Sequence, residues 1–243
     1  MAVVHIITST DIGGAEGALR RYLDSTRGGE QKLYVLSLKN IGSVGREIEA
    51  LGIEVFPLKL DTFFGVVLLV PKLVFFVLSK RPVVIISWLY HAMLMGLVIS
   101  KIFGIRHVAN IRSSACDYKD WPLQRRVVFK LLQLFCPSQT VVVFNSHRSL
   151  EKHRQLRFRF DNACIIYNAW GPDPMVRDHL SLGDSLSIPP KKFIVGFVGR
   201  NSSVKRSVDF LLFGQVLKNM GVPIHLLIAG RGYGENFCAF QIH

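Results

Sequence analysis

The feature that most constrains this chain is a repeated alternation. Short runs of valine, isoleucine, leucine and phenylalanine, each closed by turn-forming residues, are separated by stretches with helical spacing. The runs are Val3 to Thr8, Lys32 to Leu38, Ile53 to Leu58, Arg81 to Trp88, Arg106 to Ser114, Thr140 to Ser146 and Cys164 to Tyr167, then Phe193 to Val198 and Ile224 to Ala229. A strand that is apolar on both sides needs cover on both faces, and a helix between successive strands makes them parallel. The pattern therefore predicts an α/β protein: a parallel sheet wound with helices on both faces. Between Gly171 and Pro190 the periodicity lapses and glycine, proline, aspartate and serine accumulate, which marks a linker. The reading is a Rossmann-like domain over 1–170, a linker over 171–190, and over 191–243 the first βαβ part of a second Rossmann-like domain. About 50 residues are too few for a complete doubly wound sheet.

In such sheets ligands bind beyond the carboxyl ends of the strands, so the residues there are the candidates. After the first strand comes Asp11-Ile12-Gly13-Gly14-Ala15-Glu16, a glycine turn before a helix. Gly13 and Gly14 let backbone amides face an anion, or simply make a tight turn. The full G-x-G-x-x-G spacing is absent. His91 follows the Arg81–Trp88 strand in Trp88-Leu89-Tyr90-His91-Ala92, ahead of a helix from Met93 to Phe103. It is the best general acid or base here, because imidazole titrates near neutrality; packing beside Trp88 and Tyr90 is the other reading. Arg112 ends the next strand and suits an acidic substrate or an internal carboxylate. Trp121 to Cys136 is helical in pattern, with Arg125, Arg126 and Lys130 on a solvated or membrane-facing side. Ser146 is a natural N-cap for the helix that follows. Arg200 and Lys205, beyond Phe193–Val198, place a forked cation and a point cation at one loop, an arrangement that suits a diphosphate. Gly230 and Gly232 after the last strand form a turn that allows close approach of a phosphate or ribose.

Charge narrows the partners. Thirty Lys and Arg against 17 Asp and Glu give a net charge of +13, which points to phosphorylated substrates, an anionic membrane surface or a polyanion. Zinc-finger spacing, aromatic RNA-binding signatures and basic heptad helices are lacking, so nucleic acid is excluded as the expected partner. Cys116, Cys136, Cys164 and Cys238 stand far apart with no C-x-x-C pair, which fits a reducing cytoplasm and neither a zinc site nor a disulfide framework. The first residues form a strand rather than a signal peptide. Phe63 to Leu78 is nearly all apolar but is broken by Pro71 and Lys72, too short for a span. It reads as a helix that is buried or lies in a membrane interface, with Lys80 and Arg81 suited to anionic head groups.

Taken together, seven blocks resemble the retaining glycosyltransferases of family four, with two-Rossmann GT-B architecture, most closely those that assemble bacterial surface polysaccharides such as lipopolysaccharide and capsule. They are Gly13-Gly14-Ala15-Glu16; Ser87-Trp88-Leu89-Tyr90-His91-Ala92; Asn110-Ile111-Arg112-Ser113; Phe144-Asn145-Ser146; Ile166-Tyr167-Asn168; Val198-Gly199-Arg200 with Lys205; and Ala229-Gly230-Arg231-Gly232. The resemblance implies an enzyme that moves a sugar from a nucleotide-sugar donor, UDP-linked, to a lipid-linked or polysaccharide acceptor. Its place would be the cytoplasm, peripheral at the inner face of the plasma membrane. Arg200 and Lys205 match the family's basic pair for the donor diphosphate, and Gly13 and Gly14 the turn facing the donor phosphates from the first domain. His91 matches a position near the reacting sugar, and Asn168 a turn lining the cleft, with Tyr90 and Arg112 on the acceptor side. Such enzymes need no bound metal or other cofactor, since cations and helix N-termini stabilise the departing diphosphate. The chain departs from the family in lacking, after Lys205, the pair of glutamates eight positions apart; only Glu235 follows. The expectation is a truncated second domain, with the alternative of an impaired remnant that binds glycan or a partner protein at the membrane.

Overall fold

In a computed structural model, residues 1–113, 118, 121–136, 140–169, 188, 192–201, 205–230, 232 and 233 are described, without the side chains of Phe64 and Val66. The expected linker (Ile188 apart), Arg231, the segment from Gly234 onward with Glu235, and Cys116 and Cys238 lie outside these residues. The chain divides into two compact units, Met1–Gly171 and Pro172–His243.

The first unit holds β1 (Ala2–Ile7), α1 (Gly14–Thr26), β2 (Lys32–Ser37), α2 (Ser43–Ala50), β3 (Glu54–Pro57), α3 (Phe63–Val67), α4 (Leu69–Lys80), β4 (Val84–Trp88), α5 (Leu89–Phe103), β5 (Arg106–Ile111), α6 (Leu123–Phe135), β6 (Val141–Phe144), α7 (His147–Gln155) and β7 (Ala163–Ile165). Its seven strands lie in the order β3-β2-β1-β4-β5-β6-β7, each parallel to its neighbours. The chain winds outward from β1 to β3, then returns to β1's other side and winds the opposite way. This reversal places a topological switch between β1 and β4, where such sheets open a crevice at the carboxyl edge. The expected parallel α/β fold is what forms.

Strand side chains alternate between faces, and the packing follows that alternation. Val3, Ile7, Val35 and Val55 pack on Leu19, Leu23 and Ile48 of α1 and α2. Val4, Ile6, Leu36 and Ile85 pack on Phe76 and Val77 of α4 and on Ile99 of α5. A third cluster joins Tyr90, Met93 and Leu97 of α5 to Phe129 and Leu132 of α6, with Val142 and Phe144 of β6.

Two boundaries differ from the sequence pattern for physical reasons. The Phe63–Leu78 run forms two helices, interrupted at Leu68. Pro71 has no N–H to give and its ring crowds the carbonyl four residues back, that of Val67, where α3 ends. In the first turn of α4 the missing N–H costs nothing. The helix expected from Met93 starts four residues sooner, directly off β4. Leu89 turns the corner with φ +68°, a left-handed conformation in which a non-glycine residue is strained. His91 thus lies in the first turn of α5 rather than in a loop.

The second unit contains β8 (Phe193–Val198), α8 (Ser207–Asn219) and β9 (Ile224–Ala229), with β8 and β9 paired in parallel from Phe193↔Ile224 to Val198↔Ala229. Its strand bounds are those read from the sequence.

Candidate functional site

In the first unit the carboxyl edge around the switch is built by three loops. The loop after β1 is pinned from inside: Gly42 N–H donates to Thr10 Oγ1 at 2.9 Å and Gly45 N–H to Thr10 O at 3.1 Å. A Cβ on Gly42 would strike Asp11, and one on Gly45 would strike Thr10, so glycine at both positions lets the start of α2 press against this loop. The α1 N-terminus follows, with Gly13 as an extended N-cap and Gly14 as the first helical residue. A Cβ on Gly13 would run into the Glu16 carboxylate, whereas Gly14 has open space around it. A carboxylate therefore already faces this helix start, the end that favours negative charge.

Beyond β4 the strained corner at Leu89 separates Tyr90 from His91. Tyr90 is 2 % exposed and turns into the core, where its hydroxyl shares a 2.7 Å hydrogen bond with His153 Nε2 and its ring meets Trp121 and Phe129. The structure thus corrects the expectation that Tyr90 lines a cleft: its hydroxyl finds a partner on α7. Burial pushes the Tyr90 phenol pKa up. His91 is half-buried. Burial first, then the positive charges of Arg125 and Lys39, hold its pKa below the ordinary histidine value. At neutral pH it is an uncharged imidazole with one donor and one acceptor nitrogen.

Arg112, just past β5, lays its guanidinium over the Trp88 ring at 5.5 Å, and burial with the nearby Arg21 pushes its pKa down. Trp88 in turn donates from Nε1 to His5 Nδ1 at 3.2 Å, fixing the indole from within the sheet. Arg125 is not on a solvated face as its helical pattern suggested. It stacks on Trp121 at 3.8 Å, reaches to 5.3 Å from the Tyr90 ring and donates to Ser113 Oγ at 3.1 Å. The Trp121–Arg125 spacing of four residues is the sequence signal that reveals this pairing. Asn168 is exposed beyond β7, three strands from β4 and so about 14 Å away across the sheet. The first unit therefore gathers Gly13, Gly14, His91 and Arg112 at one edge, buries Tyr90 and leaves Asn168 at the margin.

In the second unit two predicted loops meet. Gly199 N–H donates to Ala229 O at 2.8 Å, continuing the β8–β9 ladder to its carboxyl end. Gly230 has φ +153° and Gly232 φ +88°, and a Cβ on Gly230 would collide with the Gly199 carbonyl. Glycine is required there by both dihedral and space. Asn201, which the sequence reading passed over, ties the loops: its Nδ2 donates to Gly232 O at 3.0 Å, and its Oδ1 accepts from Ser207 Oγ at 3.3 Å. Arg200 and Lys205 are exposed at this edge, and the Lys205 stem passes beside Gly199, its Cδ 3.8 Å from where a Cβ would stand. Arg206 is engaged with Asp209 in the first turn of α8. Among the described residues no cluster of three or more His, Cys, Asp or Glu side chains is placed to hold a metal ion.

No family model matches the chain, and no curated protein matches it. Solved structures do. HepE of Anabaena, in complex with UDP and glucose, superposes with a TM-score of 0.74 at 21% identity over 95% of this chain and 61% of that one. Sucrose-phosphate synthase from Thermosynechococcus elongatus gives a TM-score of 0.67 at 13% identity, over 95% and 62% of the two chains. The lipopolysaccharide outer core galactosyltransferase WaaB gives 0.60 at 14% identity, over 96% and 62%. At these identities the likeness is one of fold: the chain has the Rossmann-like α/β fold of GT-B glycosyltransferases. It spans about three-fifths of the length of each of these solved chains.

Proposed function

We propose that this chain serves glycosyl transfer from a UDP-linked sugar to a lipid-linked or polysaccharide acceptor in cell-surface glycan synthesis, at the cytoplasmic side of the membrane. The observation that carries the reading is the meeting of two loops in the second unit, where Gly199-Arg200-Asn201 abuts Gly230 and Gly232 beside Lys205. A glycine-lined edge with a forked cation and a point cation is suited to a diphosphate. The fold shared with HepE, which was solved with UDP and glucose, adds support.

In this reading the second unit holds the donor and the first the acceptor, with retention of configuration at the sugar carbon. As the bond from that carbon to the diphosphate oxygen breaks, the leaving group takes the electron pair and its negative charge grows. Arg200 and Lys205 stabilise that charge. The acceptor oxygen forms the new bond on the same face of the sugar and passes its proton to the departing diphosphate oxygen. His91, kept neutral, serves the first unit as a hydrogen-bonding group for a sugar rather than as a cation.

Calorimetric titration of residues 1–243 with UDP tests this. Arg200→Ala and Lys205→Ala should each weaken UDP binding roughly tenfold to a hundredfold, as expected for the loss of one hydrogen bond to a charged group, and should weaken UMP binding less. Unchanged UDP affinity in both variants, or no UDP binding by the folded protein, would refute the proposal.

A further inference from the structure

The α3–α4 segment has apolar residues on all sides, yet only one side is covered. Phe76 and Val77 are buried against the sheet, with Leu69 and Leu73 packed beside them. Facing outward are Phe63 (77 % exposed), Val67, Val70, Val74, Phe75 (67 %) and Leu78. A helix apolar all round belongs in a protein interior or in lipid, and this one has the protein on one side only. Large exposed apolar patches of this kind mark interaction surfaces. The patch continues onto the end of α5 through Ile102, which is 70 % exposed. The two helices are joined by a groove lined by Val77, Leu78, Arg81, Pro82, Phe103 and Ile105.

Charge identifies the occupant. Residues 62–81 contain no acidic side chain, and Lys72, Lys80 and Arg81 lie among the apolar ones. Lys101 and Arg106 are exposed beside the groove. Lys80 is paired with Glu54 at 2.6 Å and Lys72 Nζ turns inward to Leu58 O at 3.5 Å, so Arg81, Lys101 and Arg106 supply most of the outward field. A protein partner does not demand this sign uniformly, whereas an anionic bilayer presents an apolar interior beneath a negative surface. Among the described residues no helix is long and apolar enough to cross a membrane. α4, of twelve residues, has the length for lying in the plane of the interface.

We infer that the outer face of α3 and α4, extended by Ile102 and rimmed by Arg81, Lys101 and Arg106, is a docking surface for an anionic lipid bilayer. The inference deepens the membrane-side placement in the proposed function, and because it uses none of the residues assigned to donor or acceptor, its test fails or succeeds separately from UDP binding.

The test is cosedimentation of residues 1–243 with vesicles of phosphatidylglycerol and phosphatidylcholine, against vesicles of phosphatidylcholine alone. The wild-type chain should bind the anionic vesicles, should release them as salt rises, and should bind the neutral vesicles weakly. Phe75→Ser and Val70→Ser, both at exposed positions, should melt like the wild type while partitioning roughly tenfold more weakly. Either variant that keeps the wild-type melt suffices. Wild-type failure to bind the anionic vesicles, or unchanged binding by a folded variant, overturns the inference. So does concentration-dependent dimerisation abolished by the same substitutions, which would assign the face to a second copy of the chain.

Discussion

The two units use the same strand-helix-strand element and bury it very differently. In the first, β1 has a parallel neighbour on each side and helices on both faces, and Ile6, Ile7, Leu19 and Leu23 are wholly inaccessible. In the second, among the described residues, two strands share one helix. Leu226 and Ile228 are buried, but Phe193, Val198 (86 % exposed), Leu212 and Phe213 face solvent. Apolar composition alone does not make a core: a βαβ element closes over itself only where further strands and helices flank it. The site geometry follows the same division. The first unit places His91 and Arg112 on a rigid, multiply packed edge, while the second aligns the Arg200 and Gly230 loops by backbone and Asn201 hydrogen bonds.

The largest test of this contrast is a pair of truncations. Phe129 is wholly inaccessible and meets Tyr90 edge-on at 5.4 Å, so Phe129→Ala should cost about 3–5 kcal/mol in urea unfolding. Phe213→Ala, at a half-exposed position, should cost less than about 1 kcal/mol. Equal costs would contradict the contrast. A substitution that adds atoms sharpens it within the second unit. A Cβ on Gly214 would strike the buried Leu226 side chain, so Gly214→Ala should loosen α8 from β9 by about 1–3 kcal/mol. Amide exchange should speed up in β8 and β9 while the strands of the first unit stay protected.

Acid is a smaller probe, and it acts on the first unit. His5 is held down to about 3, and His107 and His153 to about 4, in each case chiefly by burial. Below about pH 6.5 the unfolded chain takes up protons that these folded sites refuse, so stability falls with pH and is fully present only above that value. Each histidine should cost about 1.4 kcal/mol by pH 5.5, continuing until pH nears its folded value. A melting temperature that stays flat from pH 7 to about 5 would show that these imidazoles are not held neutral.

Much of the fold was legible because its signals are local. The bounds of β8 and β9 fall where their apolar runs stop, and Ser146 caps α7 as its position predicts, with Oγ accepting from Ser149 N–H at 3.1 Å. What escaped were features decided by distant partners or unusual backbone. The start of α5 has no side-chain cap and begins at a left-handed leucine, which no propensity anticipates. Tyr90 reads as a surface residue until His153, 63 positions later, provides a partner for its hydroxyl. Asn201 carries no motif, and its linking role exists only once β8 and β9 pair. The turn at Gly230 was readable because close backbone approach requires glycine there, whereas the gathering of His91 and Arg112 at one edge is set by strand order rather than by local pattern.

The most direct test of the account is residue-resolved NMR of the chain titrated with UDP. The largest amide shifts should fall on Gly199, Arg200, Asn201, Gly230 and Gly232. Shifts confined to the first unit, or none in a protein whose spectrum shows both units folded, would contradict a donor site on the second.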